Sequence, residues 1–427
     1  MSRIAVIGAG IAGLYAAWRL AREHDVTVFE AADHAGGHTN TVDVELGGRQ
    51  WSIDTGFIVF NDWTYPNFIA LLRELGVAWQ PSNMSFSLQC ERTGLEYNGT
   101  SLNSLFAQRR NLVRPSFLRM IAEILRFNAA ARRWLRDTEA DMTLGEFLRE
   151  GRYSAQFVEH YIVPMGRAIW SAEASAMLGF PARFFIDFFD RHGFLNIDDR
   201  PVWQTVTGGT REYVRALLQR MPARVRLSTP IDSIRRLPNQ VQVRTRRGEV
   251  ETFDYAFLGC HSDQALALLE VPSRAEADVL GALPYAATEA ILHTDASVLP
   301  KRRLARAAWN YHLLRDAQEP VALTYDMNVL QDLPGTAPHF LVTLNHRRAI
   351  DERLILRTFQ YAHPVYTPEG VRAQRRHREL DGAQRTYFCG AYWRCGFHED
   401  GVVSAQAALG HFAEDLARAE LPLPRVG

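Results

Sequence analysis

The chain has 427 residues with 48 Lys plus Arg against 48 Asp plus Glu, so a formal charge of +0 gives no bulk attraction to nucleic acid. Hydrophobic residues at 47% and charged residues at 22% describe a folded globular protein, long enough for two domains or one large two-lobed unit. Cys90, Cys260, Cys389 and Cys395 are too few and too scattered for a disulfide framework or a zinc site, so no metal is expected and a reducing, cytoplasmic setting is.

The stretch from Ile4 to Gly37 organises the rest. A short apolar strand, Ile4 to Ile7, turns through Gly8, Gly10 and Gly13 into a helix reaching about Glu23, and a second strand, Val26 to Phe29, ends on Glu30. Gly8 suits the tight turn, Gly10 lets backbone amides approach a pyrophosphate, and Gly13 lets helix and strand pack closely. Glu30 stands where an acid accepts hydrogen bonds from ribose hydroxyls, about 20 residues past the turn. The apolar run to Leu20 is no membrane span, since glycines arranged for a turn and Arg19 interrupt it. Gly36-Gly37 allow a second close pass over the same pyrophosphate, which a nicotinamide unit has no reason to need.

Thr41 to Leu46 alternates like a strand and leads to Asp54-Thr55-Gly56, a sequence that also suits a plain turn. Tyr65 to Leu75 reads as a helix with Pro66 in its first turn. Short strand-like runs from Val77 to Asn103 predict a small sheet in a second lobe. Arg109, Arg110, Arg114, Arg119, Arg126, Arg132, Arg133 and Arg136 then face only Glu123 and Asp137. The spacing predicts a basic amphipathic helix whose apolar face holds Phe117, Leu118, Ile121, Ile124, Leu125 and Leu135. Two readings stay open: a core-facing helix with a solvated arginine face, and peripheral contact of residues 109–136 with an anionic membrane.

Thr143 to Trp170 is helical again, and Phe180, Phe184, Phe185, Phe188, Phe189 and Phe194 follow closely, most of them expected in the core and a minority in a pocket. Gly208-Gly209 opens a helix from Arg211 to Arg220. A strand centred on Ile231 follows, then a hairpin about Arg247-Gly248 and a buried strand, Tyr255 to Gly259, that closes this lobe. Thr288 to His293 is a strand of the second lobe. Near the end, a strand runs into Gly390, a loop crosses, and a helix starts near Gly401.

These glycine-rich segments, in this order, resemble the flavoprotein superfamily of amine oxidases, phytoene desaturases and protoporphyrinogen oxidases. The resemblance covers roughly residues 1–75, 200–268 and 380–415. It implies non-covalent FAD held by Gly8, Gly10, Ile11, Ala12, Gly13, Glu30, Gly36, Gly37 and His38. Thr55, Gly56 and Phe57 would run along the flavin, Ile231 would hold the adenine, and Gly390, Gly401, Val402 and Val403 would meet the flavin end. Phe397, in the region of an amine-oxidase cage tyrosine, joins Tyr361 and Trp203 as a substrate neighbour. His398 and Glu399 are candidates for proton transfer, and with Asp400 equally for capping a helix start. The chain departs from the family pattern at His38, where Arg is usual, at Ala391, where an acid is usual, and in lacking a lysine on the strand Thr288 to His293.

The implied fold is α/β: a discontinuous, doubly wound, Rossmann-like FAD domain of residues 1–75, 201–268 and 376–427, with a second α+β substrate domain of residues 76–200 and 269–375. GGHTNT, DTGF and GFHEDG are similar to stand-alone bacterial flavoproteins that accompany fatty-acid-modifying methyltransferases. That similarity implies dehydrogenation of an apolar, lipid-like substrate, a fatty acyl chain, by hydride transfer to flavin N5. An amine oxidase without the lysine, or a non-redox isomerase or carrier binding flavin and lipid, are the alternatives. Nothing in the sequence names the electron acceptor.

Overall fold

The computed structural model describes residues 1–137, 141–170, 174–315 and 320–420. One sheet is five-stranded and parallel, in the order Arg224–Arg226, Asp25–Phe29, Arg3–Ile7, Tyr255–Leu258, Thr386–Phe388. Its central strands are almost wholly apolar because helices and neighbouring strands cover both faces. Tyr255–Leu258, expected to close the lobe, lies inside the sheet, with Thr386–Phe388 beyond it. Helices Ile11–Leu20 and His398–Glu420 pack together here, and Gly401 permits it, since a Cβ would stand 2.7 Å from Ile11 Cγ2. A three-stranded antiparallel sheet, Ile231–Arg236, Val241–Thr245 and Val250–Phe253, adjoins, and Ile231 opens its first strand instead of lying at the middle.

A larger, mixed sheet has seven strands, in the order Ile355–Pro364, Tyr285–His293, Leu341–Leu344, Ala322–Asp326, Trp309–Leu313, Phe86–Cys90, Glu96–Asn98. The run after Val77 therefore divides. Its last two strands join this sheet, whereas Trp79–Pro81 pairs with Trp203–Val206, which also holds Phe60–Asn61. Together these make a Rossmann-like α/β unit and a second α+β unit with a chamber between their sheets.

Helix Pro115–Asp137 buries Phe117, Met120, Phe127 and Ala131, residues that recur at helical spacing on one face. Leu118 and Leu125, expected on the apolar side, are exposed, because each sits one position beyond that stripe. Glu123 is buried beneath the helix, where it pairs with Arg119 and accepts from Ser154. No helix among the described residues is long and apolar enough to cross a membrane.

Candidate active site

A chamber of about 1120 Å³ runs from the glycine turn at the end of Arg3–Ile7 into the second sheet. The turn is built as the residue spacing demands. Gly8, at φ +99°, adopts a conformation closed to most side chains, and a Cβ on Gly13 would lie 2.0 Å from Gly8 O. Gly36 N donates to Ala9 O at 2.8 Å, which brings the glycine pair over the turn, and Gly37 stands so close that a Cβ would meet Gly10 Cα at 3.2 Å. Glu30 accepts from Ala9 N at 2.7 Å and from Ala32 N at 2.9 Å, holding its carboxylate at the lip. Gly10 is different: a Cβ there would meet nothing within 4 Å, and helix Ile11–Leu20 begins without a side-chain cap. The amides of that first turn are left for a ligand.

Gly8, Gly10, Ile11, Ala12, Glu30, Gly36, Gly37, His38, Gly56, Phe57, Ile231 and Gly390 all line the chamber, as do Trp203, Tyr361, Phe397 and His398. Gly13, Thr55, Gly401, Val402 and Val403 stand behind its wall. Gly13 and Gly401 set helix packing, and Thr55 Oγ1 lies 2.9 Å from the Tyr361 hydroxyl, which also accepts from Asn40 Nδ2 at 2.9 Å. Gly56 is required by a neighbour, since a Cβ would approach His38 O to 2.2 Å.

His38 replaces a permanent cation with a neutral ring. Its imidazole stacks on Tyr361 and packs against His363 and His261, at centroid distances of 5.1, 5.4 and 5.9 Å. Burial first, then these two neighbouring imidazoles, push its pKa down to about 3. Its Nε2 has no hydrogen-bond partner among the described residues. An open Gly10, uncapped amides and an orphaned nitrogen beside Gly37 fit a dinucleotide. The sequence held no signal for His261 and His363, which reach His38 from a loop and from strand Ile355–Pro364.

The residues at the start of helix His398–Glu420 separate in role. His398 stacks flat on Phe57, with centroids 3.5 Å apart, and its Nε2 lies 2.8 Å from Thr39 Oγ1 and 3.1 Å from the Tyr213 hydroxyl. Burial holds it well below the ordinary histidine range, so it braces the wall as a neutral ring. Glu399 does not reach the chamber. It accepts from Asn67 N, Asn67 Nδ2 and Phe68 N at 3.1, 2.6 and 2.9 Å, capping helix Pro66–Leu75. Asp400 turns back to accept from Cys395 N and Phe397 N, with its carboxyl pushed up to about 6 by burial.

Beyond the turn the walls become apolar. Phe188 and Phe194 line the chamber with Trp170, Trp309 and Tyr161, whereas Phe180, Phe185 and Phe189 are core. Phe397 stacks on Phe188 at 5.2 Å. Lys301, the only lysine in the chain, lies exposed in a loop, away from the lining.

Fold and site define a flavin-dependent oxidoreductase. The chain belongs to the flavin containing amine oxidoreductase family, whose model matches residues 11–314. No curated protein sequence matches it. Its fold is similar to that of cyclohexylamine oxidase from Brevibacterium oxydans IH-35A, at 16% identity and a TM-score of 0.70, covering 98% of this chain and 100% of that one. A provisionally assigned protoporphyrinogen oxidase from Exiguobacterium sp. 255-15 gives 18% and 0.68, covering 97% and 99%. A CLA-producing fatty acid isomerase from P. acnes gives 17% and 0.66, covering 99% of each chain.

Proposed function

We propose that the protein binds FAD non-covalently and dehydrogenates an apolar, lipid-like substrate, a fatty acyl chain. The observation that carries this reading is the aromatic chamber opening directly from the dinucleotide turn, with no lysine on its walls. Similar folds serve amine oxidases and a fatty acid isomerase, so the fold admits either substrate class and the lining must decide. Gly8, Gly10, Gly36, Gly37 and Glu30 would hold the dinucleotide, and Ile231 the adenine side. Bound FAD supplies a two-electron acceptor. The chain's own residues then exclude water with Phe188, Phe194 and Trp170, and seat an alkyl chain between Phe397 and Trp203. Burial pushes the Cys260 thiol up to about 12 and Cys395 well above its ordinary value, so neither chamber cysteine offers a thiolate for covalent attachment. Anaerobic mixing with methylated, unsaturated acyl lipids is expected to bleach the flavin with loss of two hydrogens from the lipid by mass spectrometry. Bleaching by amines instead, with peroxide formed on admitting oxygen, would point to amine oxidation.

The protein reaches its substrate at an anionic membrane surface through residues 109–136 and the short helix Leu102–Leu105 before them. Val113 is 81% exposed, Leu102 76% and Leu112 51%, and no acid occurs between Tyr97 and Ala122 while Arg109, Arg110, Arg114 and Arg119 do. Exposed apolar side chains interleaved with arginines along the chain match the interface of anionic lipid. Tyr97, Gly99 and Thr100 line the chamber just before Leu102, so this surface adjoins the substrate wall. Cosedimentation is expected with phosphatidylglycerol-containing vesicles and not with phosphatidylcholine alone, and to fall in Val113→Glu. Equal binding to both vesicles overturns the membrane contact.

A further inference from the structure

Arg200 lies on the chamber lining three residues before Trp203, at the aromatic end. The other Arg, Glu and Asp residues of the lining have other surroundings. Arg246 donates its backbone N–H to Pro230 O beside Ile231, Glu30 is at the lip of the turn, and Asp263 is next to His261. The apolar part of the lining also holds Tyr161, Met165, Ile169, Trp170, Phe188 and Trp309, of which Tyr161 feels the Arg200 charge. Arg200 Nε donates to Asn196 O at 3.3 Å, while its terminal nitrogens have no hydrogen-bond or carboxylate partner among the described residues. Its side chain is at the solvent-exposed rim, yet its charge reaches the Tyr161 phenol and opposes the effect of burial there. A guanidinium at a wet rim keeps part of its hydration and offers a planar pair of donors to carboxylate or phosphate. The same charge repels an ammonium entering by this path.

We infer that Arg200 is the head-group site of the chamber: it binds the anionic end of a long apolar substrate, a carboxylate or a phosphate, while the chain lies along the aromatic walls. This rests on the lipid reading and adds which end of the lipid stays at the rim. The purified holoprotein is titrated, by the change in flavin absorption, with oleate, oleyl alcohol and 1-oleoyl-lysophosphatidylglycerol, each below its aggregation concentration. Wild type is compared with Arg200→Gln and Arg200→Lys. Arg200→Gln is expected to weaken the two anions by about 10-fold or more, in the range of a charge-assisted hydrogen bond, and to leave the alcohol within about twofold. Arg200→Lys recovers part of the loss. Tighter binding of oleate identifies a free acid as the source of the anion, and tighter binding of the lysophospholipid identifies a membrane lipid; both support the site. An Arg200→Gln protein that loses nothing toward the anions, or loses the alcohol equally, overturns the head-group site and leaves the lipid reading standing. A wild-type flavin undisturbed by all three ligands overturns the lipid reading and the head-group site with it.

Discussion

Gly10→Val is expected to give a folded protein that purifies without flavin colour. The backbone at Gly10, with φ −74° and ψ 178°, is open to any residue, and a Cβ there meets nothing within 4 Å, so the fold has no reason to fail. The isopropyl group instead projects over the start of helix Ile11–Leu20, where the first amides have no side-chain cap. A phosphate group can no longer come within hydrogen-bond distance of those amides. Losing two such charge-assisted bonds, at about 1.5–3 kcal/mol each, lowers flavin affinity by on the order of 100-fold or more. Far-UV circular dichroism matching wild type together with absent visible flavin absorption is the expected pair of results. Full flavin occupancy in Gly10→Val would move the dinucleotide away from this turn.

Glu399→Ala is expected to cost stability and leave the chemistry intact. The carboxylate is buried and accepts three bonds from the start of helix Pro66–Leu75, so truncation leaves those donors without a partner and removes a negative charge from a helix N-terminus. The loss is about 2–4 kcal/mol, read from the midpoint of urea denaturation. Glu399→Gln, which keeps one acceptor oxygen, loses less. Flavin reduction per folded holoprotein should match wild type in both variants. A large fall in reduction rate with unchanged stability would return Glu399 to the catalytic machinery.

The contrast between Glu399 and its neighbours shows why three adjacent polar residues could not be assigned from their order in the chain. His398, Glu399 and Asp400 point to three places, the Phe57 wall, the helix Pro66–Leu75 and the crossing loop, because successive helical positions turn by about 100°. The helix Pro115–Asp137 was legible as amphipathic, yet Leu118 and Leu125 fell on the wrong side of its stripe. A face one residue too wide is invisible until the partner that it packs on is known. His38 is a similar case: the substitution for arginine could be read, but the rings of His261 and His363 that keep it neutral arrive from distant segments.

What the sequence by itself determined is the glycine turn after the first strand. Gly8, Gly10, Gly13 and Glu30 act over a strand, a turn, a helix and a second strand contiguous in the chain, so their spacing already encodes their geometry. Only the tertiary structure decided the chamber. Tyr161, Trp170, Phe188, Trp309 and Phe397 come from separate elements, and they share one wall because a seven-stranded sheet joins residues 86–98 to residues 285–364 and the helices close over it. Strand pairing at that separation is set by the packing of whole faces, for which no local pattern of residues stands as a sign.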